Sequence, residues 1–457
     1  MKKSFIILIV LGSFLCFSSC EKFLEVPLPV DQLATESVFK SKATIEATVI
    51  GLYNGFANLG MAMDYISTNY LSDELYYPTV AGGRNNLAIA AITPDESMVN
   101  SWSHYYTVIH RANVVIENLP GVTSDILTTA ERDRYTGEAK YIRAACYWFM
   151  ANFWGDVPLI LTTGLEENQD MPRTPVSQVY EQIILDLEEA VRLLPAAVSS
   201  NPTRINNKYQ AEALLARVYL YRGLWGQAET AANNVITQNG YYELLPSLTD
   251  VFKRNSKEIL FSNREIFQVS FYLNKTYYGL VFLADVNHAM HPDFVAKFEA
   301  GDARVTGWTR TVSGRVQPFK YIHSLFADAS SNPQDFVVQR YAELFLIRAE
   351  ARAQQNELSG PDGAIADIDV IRSRAGLTGT PAVTQTEVLA AIEDERAREL
   401  FNEGHRWFDL KRTGKADLVL GGLAHKSENY RPYMKFMPIT PIQIDVNPAL
   451  LQTEGYN

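Results

Sequence analysis

Two stretches of this 457-residue chain gather side chains suited to holding a polyhydroxylated ligand. Residues 61–100 carry Tyr76, Tyr77, Arg84, Asn85 and Asn86, with Trp102 just beyond. Residues 247–332 carry Tyr272, Tyr277, Tyr278, His288 and Trp308. Flat C–H faces pack on aromatic rings, and hydroxyl edges want amides, carboxylates and guanidinium groups. Any one ring can equally be core. Trp102 opens an amphipathic run with Tyr106 and Ile109 and reads as core. Tyr76, Tyr77 and Tyr278 lie beside turn-forming residues and are stronger candidates. The candidate ligand-binding residues are therefore Tyr76, Tyr77, Arg84, Asn85, Asn86, Tyr277, Tyr278 and Trp308.

Other chemistry is weaker. Asp73 and Glu74 are the best pair for sugar hydrolysis, which needs two carboxyls across one bond, about 5–10 Å apart. Adjacent residues rarely point the same way, so helix-capping or solvated acids is the simpler reading. His288 and His291, with Asp293 nearby, have the spacing of part of a metal site, but Pro292 interrupts any helix and no third histidine is local. No phosphate-binding loop, nucleophile elbow, zinc-protease or dinucleotide motif occurs. No catalytic residue, metal or cofactor is expected. The run Glu393, Asp394, Glu395, Arg396, Arg398, Glu399 reads as a solvated helix face with Asp394 and Arg398 paired at i, i+4, while Arg396 and Arg406 suit buried ion pairs.

The elements that must position these residues are mainly helical. Apolar periodicity predicts helices over 41–59, 101–119, 128–153, 175–194, 208–221, 225–238, 338–356, 362–375 and 384–402. Thr128 with Glu131 and Thr384 with Glu387 have capping-box spacing, and Gly404 ends the last helix. Leu215, Ala216, Tyr219, Ala228 and Ala232 follow the large-and-small spacing of a tetratricopeptide hairpin, and other helix pairs are looser versions of it. The scaffold thus occupies about 36–60, 101–240 and 336–415. The stretches 61–100 and 247–332 read as irregular insertions, the second with short strands, and long irregular stretches in a compact domain are usually functional. The tail from Met437 is proline-punctuated and extended.

Residues 1–19 have a secretory signal pattern: Lys2 and Lys3, an apolar run to Phe17, then Ser18 and Ser19. Cys20 follows at the cut, as in a bacterial lipoprotein, whose cysteine sulfur carries a diacylglycerol. Glu21 to Thr35 reads as an extended leader. Cys16 would be removed and Cys20 lipidated, which leaves Cys146 alone in an apolar helical run as a core residue. A net charge of −11 argues against nucleic acid and against loose attachment to an anionic bilayer. The lipid would then do the anchoring.

Seven segments in order carry a resemblance. They are EKFLEVPLP after Cys20, WSHYYTVIHRANVVIENL, EAKYIRAACYWFMANFWGDVPLI, the helical pairs from VYEQ to NNVI, FEAGDARVTGW to VQRYAELFLIRAEARAQ, ERARELFNEGHRWFDLKRTG and MPITPIQIDVNPALLQTEGY. Together they resemble the SusD/RagB family of Bacteroidetes outer-membrane lipoproteins over nearly the whole of residues 20–457. The resemblance implies a mainly α fold, with about four tetratricopeptide-like helix pairs packed against an irregular, loop-rich part that holds the ligand site. It implies a protein that is not an enzyme and sits on the outer face of the outer membrane. It implies binding of a nutrient glycan, delivered to a SusC-like TonB-dependent barrel that the helical repeats contact. A peptide-binding member like RagB, or a helical glycoside hydrolase, are the alternatives. No site residue carries over from the family.

Overall fold

The computed structural model describes residues 35–56, 67–76, 83–95, 101–198, 202–238, 240–263, 289–321 and 334–456. Eight helices follow one another as a continuous stack, preceded by α1 (Lys42–Phe56). They are α3 (Trp102–Asn118), α4 (Thr129–Trp154), α5 (Val176–Leu193), α6 (Lys208–Tyr221), α7 (Trp225–Gln238), α8 (Tyr341–Gln354), α9 (Ala364–Arg374) and α10 (Gln385–Leu400). Each packs on its predecessor, α8 also takes α10, and α1 closes over α3 and α4. The expectation of a mainly helical fold with about four helix pairs is met.

Local chemistry sets the boundaries. Capping boxes open α4 (Thr128, Glu131), α6 (Asn207, Gln210) and α10 (Thr384, Glu387), each satisfying two otherwise unpaired backbone donors. Gly155 ends α4 at φ 73°, where a residue with a Cβ would be strained. Gly137 lets α4 and α5 approach, since a Cβ there would lie 3.0 Å from Leu194 Cγ. In the α6–α7 hairpin, Ala216, Ala228 and Ala232 are fully buried beside Leu215, and Tyr219 donates to Glu188 Oε1 of α5 at 2.7 Å. Cys146 is buried in α4, and burial pushes its thiol pKa well up.

The two insertions enter this stack at different points, one before α3 and the other between α7 and α8. The first contributes β1 (Leu75–Tyr76) and α2 (Gly83–Ala88). The second contributes β2 (Ile259–Asn263), β3 (Ala289–Met290), β4 (Thr309–Val312) and β5 (Arg315–Pro318). Strand β6 (Phe336–Arg340) pairs antiparallel with β2, and β4 with β5. Here the sequence expectation fails: residues 338–340 were expected to start a helix but are strand. Phe336, Val337 and Val338 favour extended backbone, and β2 supplies the hydrogen bonds, so α8 starts only at Tyr341. The tail holds one short helix, Pro441–Val446, and is pinned to the end of α4 by Met437 N to Phe153 O (2.7 Å) and Trp154 Nε1 to Pro438 O (3.1 Å).

Most of the charged run on α10 is not solvated, although Asp394 is exposed. Glu395 and Glu399 are fully buried, and Arg396 and Arg398 nearly so. Arg304 of the second insertion donates to Glu395 (2.6 Å), Glu399 (3.2 Å) and Asp302 (2.8 Å). Arg340 donates to Glu258 (2.7 Å), Glu399 (2.6 Å) and Glu403 (2.9 Å), and Lys320 to Glu403 (2.6 Å). Arg398 pairs with Glu395 and Glu299, while Asp394 faces Lys297, so the expected Asp394–Arg398 pair does not form. The physical reason is that the second insertion brings its own cations onto this face. Buried charges persist only when paired and hydrogen-bonded.

Candidate functional site

Strands β1 and β3 join the two insertions. Leu75 opposes Met290 and Tyr76 opposes Ala289, and His291 N donates to Glu74 O at 2.8 Å. This pairing brings the half-buried Tyr76 ring edge-on to His291, 5.6 Å between centroids. His291 in turn stacks on His425 at 4.6 Å, from the segment after α12 (Ala416–Gly422). Three rings from three distant parts of the chain therefore form one cluster.

The cluster is neutral. Burial lowers the pKa of His291, and burial with the neighbouring Lys426 and His291 lowers that of His425 to about 4. His291 Nδ1 accepts from Asp293 N at 3.3 Å, which leaves Nε2 as the protonated nitrogen. Asp293 is largely exposed alongside, its carboxylate 3.6 Å from His291. Uncharged rings with one exposed acid nearby suit an apolar C–H face and a hydroxyl edge better than they suit an ion.

The residues just before Tyr76, and Lys426 just after His425, are buried and paired. Arg406 of α11 (Arg406–Arg412) donates through Nε and Nη2 to the two oxygens of Asp73, at 2.8 and 3.0 Å. Burial alone would raise the Asp73 pKa, but this guanidinium holds it below its ordinary value. Glu74 is buried, its carboxylate accepting among the described residues only from Asn402 N at 3.4 Å, and desolvation with the adjacent Asp73 charge raises its pKa well above the ordinary value. The expectation that these acids cap helices or are solvated is therefore corrected: both are interior. Lys426 donates to Tyr70 O (2.6 Å) and Leu87 O (3.3 Å), and Asn429 to Ile89 O (3.0 Å), so the segment after α12 fastens the first insertion.

The candidates fare unequally. Tyr76 joins the cluster. Asn86 is half-buried in α2, the short helix fastened by Lys426. Trp308 is corrected: it is 1% exposed, packs on Phe252 and Phe401, and donates Nε1 to Leu248 O at 2.9 Å. A Trp so covered cannot stack on a ligand; Lys320 also lies 4.5 Å from its ring centre. Trp102 is buried against Trp154, as its helical spacing predicts. Arg396 and Arg406 do make buried pairs, with Asp409 and Asp73. Cys20, Tyr77, Tyr272, Tyr277, Tyr278 and His288, and the side chains of Arg84 and Asn85, lie outside the described residues. Among the described residues no three His, Cys, Asp or Glu side chains converge as a metal site. His425 and Lys426 were missed, since a histidine and lysine in a polar turn carry no periodic signal.

Comparison with known proteins agrees with the fold. A model described as "SusD family" matches residues 267–456, and one described as "Starch-binding associating with outer membrane" matches 22–220. The chain is 26% identical to SusD-like protein P25 of Formosa agariphila over all of this chain and 99% of that one. Among solved structures, a laminarin binding SusD-like protein superimposes with a TM-score of 0.76 at 25% identity, covering 91% of this chain and 100% of that chain. Surface glycan-binding protein A from Bacteroides uniformis has the same fold, with a TM-score of 0.76 at 20% identity over 90% of this chain and 99% of that chain.

Proposed function

Because this chain belongs to the SusD/RagB family of carbohydrate-binding proteins, we propose that it binds a nutrient oligosaccharide on the face where its two insertions meet and passes it to a SusC-like TonB-dependent barrel. The observation that carries this reading is the β1–β3 pairing, which sets the Tyr76, His291 and His425 rings together at the junction of the insertions. Tyr76 is the stacking platform and Asp293 the hydroxyl acceptor. Tyr77, Arg84, Asn85, Asn86, Tyr277 and Tyr278 are proposed to complete the contact.

The protein acts by binding and not by turnover. Hydrolysis would need Asp73 and Glu74 open to the sugar. Asp73 is instead neutralised by Arg406, and Glu74 is interior. Cys20 carries the lipid that holds the protein at the outer membrane, facing the cell exterior, and residues 1–19 are the removed signal.

Isothermal calorimetry of the detergent-solubilised full chain against a panel of neutral oligosaccharides tests the reading. Binding to at least one glycan without release of reducing ends is expected. Silence on all glycans with binding to a peptide panel would replace it by the peptide-binding alternative. Co-purification of a barrel from solubilised membranes tests the partner, and protease shaving of intact cells the orientation.

A further inference from the structure

A cavity of about 500 Å³ opens among α6, α7, α8, α10 and α11, and it shares no residue with the ring cluster. Its floor is fixed by ion pairs. Arg412 donates to both oxygens of Glu350, at 2.5 and 2.7 Å, and to Asp409 at 2.7 Å. Arg396 donates to Asp409 at 3.0 and 3.2 Å. Glu393 takes Lys415 and Arg406. Every carboxylate of the wall is thus already occupied.

The donors are not. Arg396 is 2% exposed, and its Nη1 has no partner among the described residues; the same holds for Tyr221 Oη. Arg222 stands exposed at the rim and makes no ion pair among the described residues. Arg222, Arg396, Arg412 and Lys415 outnumber Glu350, Glu393 and Asp409, so the lining carries excess positive charge. Buried donors left without acceptors are costly. The half-buried Trp225 ring and Leu389 supply an apolar wall.

We propose that this cavity is a second ligand site, which takes an organic carboxylate of single-sugar size. The carboxylate accepts from Arg222, Tyr221 and Arg396 while the carbon skeleton lies on Trp225. The space exceeds what an inorganic ion needs, and the wall's own acids each already accept from a cation, so the groups left without partners are donors, which suit an anionic oxygen. A uronate and an amino-acid carboxylate share this chemistry.

Calorimetric titration of the detergent-solubilised full chain with galacturonate, galactose and N-acetylglutamate tests it. One of the two acids should bind at least about tenfold more tightly than galactose, and the stronger acid names the source. Tyr221→Phe removes only the unpartnered hydroxyl. It should weaken the acid about tenfold with no loss of thermal stability. Arg222→Ala should do the same, while Tyr76→Ala should leave acid binding intact. Equal binding of galactose, no binding of either acid at millimolar concentration, or unchanged affinity in Tyr221→Phe would each overturn the assignment. Because the site is independent of the ring cluster, failure here leaves the glycan reading standing, and the converse also holds.

Discussion

Arg406 and Asp73 stand 333 positions apart in sequence and meet as a bidentate pair, at 2.8 and 3.0 Å, both almost fully buried. One contact thereby fixes the base of the first insertion to the helix that follows α10. Removing one partner leaves the other charge buried and uncompensated. Arg406→Ala should therefore cost about 3–5 kcal/mol of unfolding free energy, measured by urea denaturation. Adding Asp73→Ala should recover part of that loss, and a double-mutant cycle with no coupling would contradict the pairing.

Tyr76 and Trp308 should separate binding from folding. Trp308 fills the space between Phe252 and Phe401, so Trp308→Ala should destabilise by about 3–5 kcal/mol. Tyr76 is half-buried at the ring cluster, so Tyr76→Ala should weaken glycan binding by about 1 kcal/mol, roughly fivefold, with a smaller loss of stability. Calorimetry and thermal unfolding on the same preparations read both.

Acid should destabilise the fold in two stages. His405, buried between Glu343 and the Arg217 and Arg396 guanidinium groups, has its pKa lowered to about 4 by desolvation first, as His425 does. Above pH 6.5 both states are neutral and nothing changes. Between 6.5 and 4 the unfolded chain takes up protons that the fold excludes, so stability falls as pH falls. Below about 4.5 Glu343 adds to this. Burial would raise its pKa, but Arg217 and its neighbours hold it at about 2, so its contribution is lost as pH drops through that value. A His405→Gln variant should show a shallower slope between pH 6.5 and 4 in denaturation midpoints.

Cys146 should be inert in the native protein. Its thiol is fully buried and its pKa is raised, so little thiolate exists to react. A thiol-specific chromogenic reagent should give no signal from this residue until denaturant is added, and prompt native labelling at Cys146 would contradict the burial.

The helices were legible because their signals are local. Capping boxes at Thr128 and Thr384 act within one turn, and the alternation of Leu215, Ala216 and Tyr219 with Ala228 and Ala232 is a pattern within one hairpin. The family resemblance rested on the same short segments in order. At Val338–Arg340 the pairing with β2 carried a β-favouring run into positions where apolar periodicity predicts helix.

The sequence by itself determined a helical array with two irregular insertions, one lone core cysteine and aromatic residues suited to sugar faces. Only the tertiary structure decided which of those aromatics are available. Trp308 and Tyr76 are alike in composition terms, but one lies beneath Lys320 and the other beside His291. It also turned the run Glu395 to Glu399 from a surface into a core, because Arg304, Arg340 and Arg374 arrive from elsewhere in the chain. Burial and charge pairing depend on neighbours distant in sequence, and no spacing rule along one segment contains them.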